Sequence, residues 1–411
     1  MKCGLIGEKL GHSYSKHIHR QLGLYDYALL ETPPENLGRL LGDKTYAGFN
    51  VTIPYKRAVA PYCSALDDTA RAIGSVNTIK RMADGRLVGY NTDFEGLCSM
   101  VARAGIALQG RQVLILGSGG TGKTAQAVCA AAGAARVSVV SRTGAVNYGN
   151  VYAQSGTQVI INTTPVGMHP HTEKSPLELA AFPQLEGVVD VIYNPLRTRL
   201  LQQAAQLGVR HAGGLYMLVR QATAAGEIFT GKALAGRSGE IFESLEASVK
   251  NIVLIGMPGS GKTSIGMLAA EKTGRAFYDT DQMIEARTGL RVPDIFAKYG
   301  EQHFRALEKE AVAACGRLSG VVIAAGGGAP LCAENTLNLR QNAQVFHITR
   351  ALEQLATDGR PLSAGLAALG QMEQQRAPFY ERCADRRIDN NGSLEAAAEA
   401  VVEDFYETAG N

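Results

Sequence analysis

Asn251-Ile252-Val253-Leu254-Ile255-Gly256-Met257-Pro258-Gly259-Ser260-Gly261-Lys262-Thr263 reads as an apolar strand that runs straight into the pattern G-x-x-x-x-G-K-[ST]. In such a P-loop the backbone around Gly256, Gly259, Ser260 and Gly261 lets N–H groups converge on phosphate oxygens. Lys262 brings a point charge to the terminal phosphates, and the Thr263 hydroxyl can hold Mg²⁺. The start of the following helix adds its own affinity for anions. The stretch therefore predicts a nucleotide site and makes the residues after it machinery for phosphoryl transfer. The residues before it need a separate explanation.

A second glycine loop, Gly117-Ser118-Gly119-Gly120-Thr121-Gly122-Lys123-Thr124, comes after the strand Val113-Leu114-Ile115-Leu116 and satisfies both G-x-x-x-x-G-K-[ST] and G-x-G-x-x-G. The two patterns predict different chemistry. A phosphoryl-transfer site needs a carboxylate near its Mg²⁺, yet no Asp or Glu stands between Gly96 and Thr172. A dinucleotide fold that reads NAD presents an acid ~20 positions on, hydrogen-bonded to the ribose 2′-OH. That acid is missing too. The next strand, Val137-Ser138-Val139-Val140, ends at Ser141-Arg142-Thr143, where Arg142 can face a 2′-phosphate and the hydroxyls can add hydrogen bonds. The expected ligand is NADP(H), held by Gly117, Gly119, Gly120, Ser141, Arg142 and Thr143, with Lys123 a solvated helix residue.

The 411 residues are enough for two or three domains, each with its own core. Lys+Arg 41 against Asp+Glu 38 gives a formal charge of +3, too weak a field to imply nucleic acid or membrane, so small anions are the expected ligands. Seven cysteines without a C-x-x-C pair fit reduced thiols. Gly4-Leu5-Ile6-Gly7 is reached at once, with no signal-peptide pattern and no apolar run of membrane-spanning length, so a cytoplasmic protein is expected. Oligomeric state is not encoded legibly.

Residues 1 to about 100 alternate apolar runs with polar loops in an α/β pattern. Three loops stand out: Gly11-His12-Ser13-Tyr14-Ser15, Gly48 to Lys56, and Gly89-Tyr90-Asn91-Thr92-Asp93. Singly, Ser13 and Ser15 read as helix caps, Thr52 as a strand residue and Lys56 as a solvated charge. Further on, Val159-Ile160-Ile161 and Val188-Val189-Asp190-Val191 fit buried strands of a parallel sheet. An apolar-periodic helix opens near Gly214 and is expected to continue to about Ala247. The histidines lack a metal-binding pattern, and none is assigned to a metal.

Taken together, residues 1 to about 247 resemble shikimate dehydrogenases. The resemblance rests on Ser13-Tyr14-Ser15, Asn50-Val51-Thr52-Ile53-Pro54-Tyr55-Lys56, Ile73-Gly74-Ser75-Val76-Asn77-Thr78, Asn91-Thr92-Asp93, Ser141-Arg142-Thr143, Asn162-Thr163-Thr164-Pro165-Val166-Gly167-Met168 and Gly214-Leu215-Tyr216-Met217-Leu218. It implies reversible reduction of 3-dehydroshikimate by NADPH. Lys56 and Asp93 are then the polar pair at the reacting carbon, and the proton comes from Lys56 or from a water. A hydride arriving at a ketone leaves an alkoxide; a nearby ammonium can stabilise or protonate it while a carboxylate orients that ammonium. The resemblance carries Ser13 and Ser15 onto the substrate carboxylate and Thr52, Asn77, Asp93 and Gln221 onto the ring hydroxyls. Tyr193 then lines the pocket and Gly214 lies beside the cofactor. Two departures stand out: Lys16 replaces the family's usual proline, and the segment from Thr143 to Val159 is short.

From about Asn251 onward the chain resembles shikimate kinases. Tyr278-Asp279-Thr280-Asp281, Gly300-Glu301-Gln302-His303-Phe304-Arg305 with Glu308, Ala325-Gly326-Gly327-Gly328-Ala329, Gly359-Arg360-Pro361-Leu362 and Arg376-Ala377-Pro378-Phe379-Tyr380 carry it beyond the P-loop. The resemblance implies ATP and Mg²⁺, the metal at Thr263 and, through water, at Asp279. Asp281 would accept the proton of the attacking hydroxyl. Arg305 and Arg376 would fork onto the substrate carboxylate beside Gly327. Lys262 and Arg360, the latter on a lid, would stabilise the phosphoryl group in transfer. Ser363 stands where a second leucine is usual.

The expected architecture is α/β: a substrate-binding domain at 1–100, a Rossmann NADP domain at 101–213, helices at 214–247 returning to the substrate domain, and a P-loop kinase domain with a parallel sheet at 251–411. The expected substrates are 3-dehydroshikimate and shikimate. Readings left open are a catalytically inactive sensor built from these modules, a quinate-preferring dehydrogenase, and a kinase for a related polyol acid.

Overall fold

The computed structural model describes residues 1–11, 13–355 and 366–409, so the expected lid with Arg360, and His12, lie outside the described residues. Contacts divide the chain into two compact units. One comprises Met1–Met168, Lys174–Asn194 and Leu200–Phe242; the other His169–Glu173, Pro195–Arg199 and Glu243–Asn411. Among the described residues no helix is long and apolar enough to cross a membrane.

The first unit carries two sheets. Strands β1 (Lys2–Gly7), β2 (Asp26–Glu31), β3 (Gly48–Val51), β4 (Ala65–Leu66), β5 (Thr78–Arg81) and β6 (Leu87–Tyr90) pair in the order β2-β1-β3-β5-β6-β4. In this sheet β5 runs antiparallel to both neighbours, so the loop before it and the loop after β6 meet at one edge, Asn77 N bonding Tyr90 O at 3.0 Å. The second sheet, β7 (Gln112–Leu116), β8 (Arg136–Val140), β9 (Val159–Asn162), β10 (Gly187–Asp190) and β11 (Arg210–Gly213), is parallel throughout, in the order β11-β10-β9-β7-β8. The second unit repeats this logic with β12 (Asn251–Ile255), β13 (Phe277–Asp279), β14 (Val322–Ala324), β15 (Ala343–Thr349) and β16 (Arg386–Asp389), ordered β13-β14-β12-β15-β16 and again parallel. The chain therefore adopts the α/β class expected from its sequence.

Parallel strands covered on both faces must be apolar at every position, which is why these strands read as unbroken aliphatic runs. In β7, Val113 and Ile115 enter one core while Leu114 and Leu116 enter the opposite one. In β12, Val253 and Ile255 face one core, Ile252 and Leu254 the other. Each such side chain stabilises the fold by about 1.5–3 kcal/mol on full burial. Both β7 and β12 sit where the strand order reverses, and in open parallel sheets that point, at the carboxyl ends of the strands, opens the ligand crevice.

One helix expectation needs correction. The run expected from Gly214 to about Ala247 is two helices, Leu215–Thr230 and Ser238–Val249. Gly231 ends the first in the left-handed region at φ 72°, and the Glu227 carboxylate then accepts from the N–H groups of Leu234 (2.7 Å) and Ala235 (2.9 Å). Apolar periodicity persists across the break because each helix buries one face.

Candidate active sites

The two glycine loops share a spelling and differ in shape. After β7 the helix begins at Gly120, so the turn is short. Gly122 must be glycine because a Cβ there would stand 2.2 Å from Gly117 O, and Gly117 itself sits at φ 104°. A Cβ on Gly119 would meet nothing within 4 Å, which leaves the turn's outer side open to a diphosphate. Lys123 is exposed, and the Thr124 hydroxyl donates back to Gly120 O at 3.3 Å, so neither points at a ligand. Gly117 N bonds Val140 O at 2.9 Å, which fixes the end of β8 beside the turn and brings Ser141 and the exposed Arg142 and Thr143 to its rim.

After β12 the helix begins only at Lys262, and the intervening residues wrap a wider loop. Gly256, Gly259 and Gly261 all have left-handed φ values, of 142°, 84° and 94°. Lys262 is buried, and its Nζ donates to the carbonyls of Gly256 (3.0 Å) and Met257 (2.8 Å), folding the ammonium over the loop. Ser260 contributes backbone to the loop, since its buried hydroxyl packs toward Gly256 and its carbonyl accepts from Asn390 Nδ2 at 2.7 Å.

In the first unit, a cleft of about 390 Å³ gathers the residues expected around a polyhydroxylated ring. Ser13 and Ser15 enter from the start of helix Ser15–Leu22, where Ser15 N donates to Ser13 Oγ at 3.2 Å. Thr52 and Lys56 come from the loop after β3, Asn77 from the residue before β5, and Asp93 from the first turn of helix Asp93–Arg103. Tyr193, Gly214 and Gln221 close the opposite wall. Lys56 Nζ donates to Asp93 Oδ2 at 2.5 Å, and Asn77 Nδ2 donates to Asp93 Oδ1 at 2.9 Å. Burial raises the Tyr193 phenol above its usual range, keeping it neutral. A Cβ on Gly214 would stand 2.0 Å from Val191 O, so only glycine admits this approach of wall to strand. Arg220 pairs with Glu95 and so ties the helix bearing Gln221 to the helix bearing Asp93.

In the second unit, a pocket of about 180 Å³ opens in front of the P-loop. Gly259, Lys262, Thr263, Asp279 and Asp281 line one side, Arg305, Gly327 and Arg376 the other. The Thr263 hydroxyl donates to Asp279 Oδ2 at 2.8 Å while Asp279 Oδ1 caps the next helix by accepting from Asp281 N at 2.9 Å. A hydroxyl and one carboxylate suit Mg²⁺, which keeps waters and phosphate oxygens for the rest of its shell. The buried Asp281 Oδ1 has no hydrogen-bond partner among the described residues, and desolvation first, then the neighbouring Asp279, raises the Asp281 carboxyl to about 6. Desolvation likewise raises Glu308 to about 6 against the lowering pull of Arg305.

The glycine run makes room for these groups. A Cβ on Gly326 would approach Asp281 Oδ1 to 2.7 Å, on Gly327 Pro258 Cδ to 2.8 Å, and on Gly328 Arg305 Nη1 to 2.2 Å. Arg305 is held by Glu308 (2.9 Å) and Glu301 (2.9 Å), whereas Arg376 Nη1 donates to Gly327 O at 3.1 Å and pairs with no acid among the described residues. A carboxylate ligand would therefore meet Arg376 ready and Arg305 already engaged.

Several lining residues were not singled out from the sequence. Thr121 reaches the first cleft from inside the glycine turn, with Val191, Met217 and Leu218. Val292, Phe296, Phe304 and Met372 form the apolar side of the second. Val292 and Phe296 are partly buried and pack with Ile295 and Phe304 on this helix.

Comparison with known proteins gives the same division. Residues 5–79 match the family model for the shikimate dehydrogenase substrate binding domain, and residues 258–407 match that for shikimate kinase. The shikimate dehydrogenase (NADP(+)) of Clostridium perfringens strain 13 is 34% identical over 265 residues, 59% of this chain and 97% of the relative. The crystal structure of a chorismate mutase/shikimate 5-dehydrogenase fusion protein from Clostridium acetobutylicum superposes with a TM-score of 0.57 at 35% identity, covering 60% of this chain and 97% of its own. Shikimate 5-dehydrogenase from Thermus thermophilus in complex with NADP(H) and shikimate gives 0.53 at 30% identity, covering 59% and 99%.

Proposed function

Because the chain belongs to the shikimate dehydrogenase family through its first unit and carries a shikimate kinase domain after it, we propose that it catalyses two consecutive reactions of aromatic biosynthesis. The first reduces 3-dehydroshikimate with NADPH to shikimate; the second phosphorylates shikimate with ATP to shikimate 3-phosphate. The observation that carries this reading is that one chain holds both a Lys56–Asp93 pair 2.5 Å apart and a P-loop whose Thr263 reaches Asp279 at 2.8 Å.

In the reduction, NADPH supplies the hydride when bound. Lys56 stabilises the alkoxide that forms and stands as its proton donor, with Asp93 holding the ammonium in place. Ser13 and Ser15 hold the substrate carboxylate, Thr52, Asn77 and Gln221 hold hydroxyls, and Tyr193 walls the pocket. Gly117, Gly119, Gly120 and Gly214 let the cofactor approach, and Ser141, Arg142 and Thr143 select it through the 2′-phosphate. Arg142→Ala is expected to raise KM for NADPH about tenfold, the scale of one charge-assisted contact, and to leave KM for NADH nearly unchanged. Equal shifts for both cofactors in steady-state assays would remove that role.

In the phosphorylation, Mg²⁺ at Thr263 and Asp279 neutralises phosphate charge when bound. Lys262 and the loop backbone cradle the phosphates, Arg376 and Arg305 hold the substrate carboxylate beside Gly327, and Asp281 accepts the hydroxyl proton. Arg360 is assigned to the phosphoryl group on the resemblance of its stretch alone. Only ionised Asp281 can accept a proton. With its carboxyl raised to about 6, kcat/KM for phosphorylation is expected to fall as pH drops through about 6, whereas an ordinary carboxylate would sustain activity to lower pH. Glu308→Gln should retain that limb; a profile flat to about pH 5 would mean that Asp281 does not act with a raised pKa.

The decisive assay supplies 3-dehydroshikimate, NADPH, ATP and Mg²⁺ together. Shikimate 3-phosphate should accumulate with one ADP formed per NADPH consumed, and reaction should stop at shikimate without ATP. Ligand binding without turnover would point instead to a sensor, and faster turnover of quinate to a different dehydrogenase.

A further inference from the structure

A buried run of hydrogen bonds reaches from the Lys56–Asp93 pair to the far side of the first sheet. Tyr27 OH donates to Asn50 Oδ1 at 2.7 Å, Asn50 Nδ2 donates to Thr78 Oγ1 at 3.0 Å, and the Thr78 hydroxyl donates to Asn77 Oδ1 at 3.2 Å. Asn77 Nδ2 then donates to Asp93 at 2.9 Å. Neither amide is free to turn over. Asn77 Oδ1 accepts the backbone N–H of Thr92 at 2.7 Å, and Asn50 Nδ2 faces the carbonyl of Asn77 at 3.5 Å. Every member is buried, from Tyr27 at 9% exposure to Thr78 at 0%.

All four links donate in one direction, toward the carboxylate. Donors aligned head to tail polarise one another, and in a water-free interior each strengthens the next. A negative charge at the accepting end is what such an alignment favours. We propose that Tyr27, which does not line the cleft, is a positioning residue for ketone reduction: through Asn50, Thr78 and Asn77 it orients Asp93 against Lys56. The inference rests on the dehydrogenase reading above.

Titratable groups also face the run, and His19 reaches Asn50 as well as Tyr25. His19 stacks on the Tyr27 ring at 3.8 Å, and Tyr25 and Cys3 lie close by. Burial lowers the imidazole of His19 to about 3, raises the Cys3 thiol to about 12 and raises the Tyr25 phenol, so all three stay neutral at assay pH.

Tyr27→Phe keeps the ring and its stack and deletes only the first donor. Kinetics of shikimate oxidation and 3-dehydroshikimate reduction should show kcat lower by about five- to tenfold with KM within about twofold, the scale of one hydrogen bond lost. Thr78→Val cuts the run in the middle, and adding Tyr27→Phe to it should cost nothing more. Additive losses, or a change confined to KM in Tyr27→Phe, would overturn the inference while leaving the dehydrogenase reading intact. Should Thr78→Val fail to fold, the split between kcat and KM in Tyr27→Phe decides alone. A parent chain that turns over neither substrate would overturn both.

Discussion

Lys56→Ala is expected to remove ketone reduction and to spare phosphorylation. The Lys56 ammonium lies 2.5 Å from Asp93 in the first cleft, and both groups are largely shielded, with side-chain exposures of 22% and 11%. A hydride delivered to a carbonyl leaves negative charge on oxygen, and a charge shielded from water depends on the nearest fixed donor. Losing a positioned general acid lowers kcat by about 10²–10⁴. The substitution also leaves Asp93 without its cation, so its remaining partner, Asn77, cannot supply the missing proton. The substrate carboxylate contacts proposed for Ser13 and Ser15 would survive, so KM should change much less than kcat. NADPH oxidation and ADP formation, followed separately on one preparation, test this. Loss of both activities would mean that the substitution acts through folding.

Lys262→Ala should give the mirror image. Its ammonium lies over the P-loop, 3.0 Å from Gly256 O and 2.8 Å from Met257 O, poised to exchange these carbonyls for phosphate oxygens. Phosphoryl transfer depends on positioning and charge stabilisation with little covalent help from the protein. Removing such a charge-stabilising donor costs about 10²–10³ in kcat. ATP affinity should fall as well, since the alanine leaves two loop carbonyls facing the phosphates without a cation between them. Ketone reduction should be unchanged. A Lys123→Ala variant makes the comparison sharp: the equivalent lysine of the other glycine loop is solvent-exposed in the helix Gly120–Ala131, and its removal should leave both activities as they were.

Much of both sites was legible in the residues because their chemistry is local. Asp279, Thr280 and Asp281 sit at the end of one strand and the start of the next helix, a run the resemblance picked out, and the order β13-β14-β12 carries it to the P-loop. Asn77 and Asp93 were carried by the resemblance, and the antiparallel strands β5 and β6 bring the two together. Less was legible where one of several neighbouring contacts wins, or where a partner comes from far along the chain. Nothing around Arg305 said that Glu301 and Glu308 would hold it in this structure, since helical spacing gives the neighbours and not which contact wins. Nor did Tyr27 announce itself; one tyrosine in a short strand becomes meaningful only when β1 and β3 bring Asn50 beside it.

The α/β class, the two glycine loops and the acids after only the later one are properties of the amino-acid sequence, set by strand hydrophobicity and by residue order. What it left open was how two loops of matching spelling would be shaped, and the tertiary structure decided that. Gly122 packs against its own loop at Gly117 O, which draws the first turn tight and starts the helix early. Its counterpart Gly261 packs against Asn390, and Gly256 against Ile348 O, groups that arrive from distant strands. Those contacts hold the second loop wide, start its helix at Lys262, and turn that lysine inward. Steric fit to remote groups, the Ile348 carbonyl and the Asn390 side chain, separates the two shapes, and local sequence does not encode it.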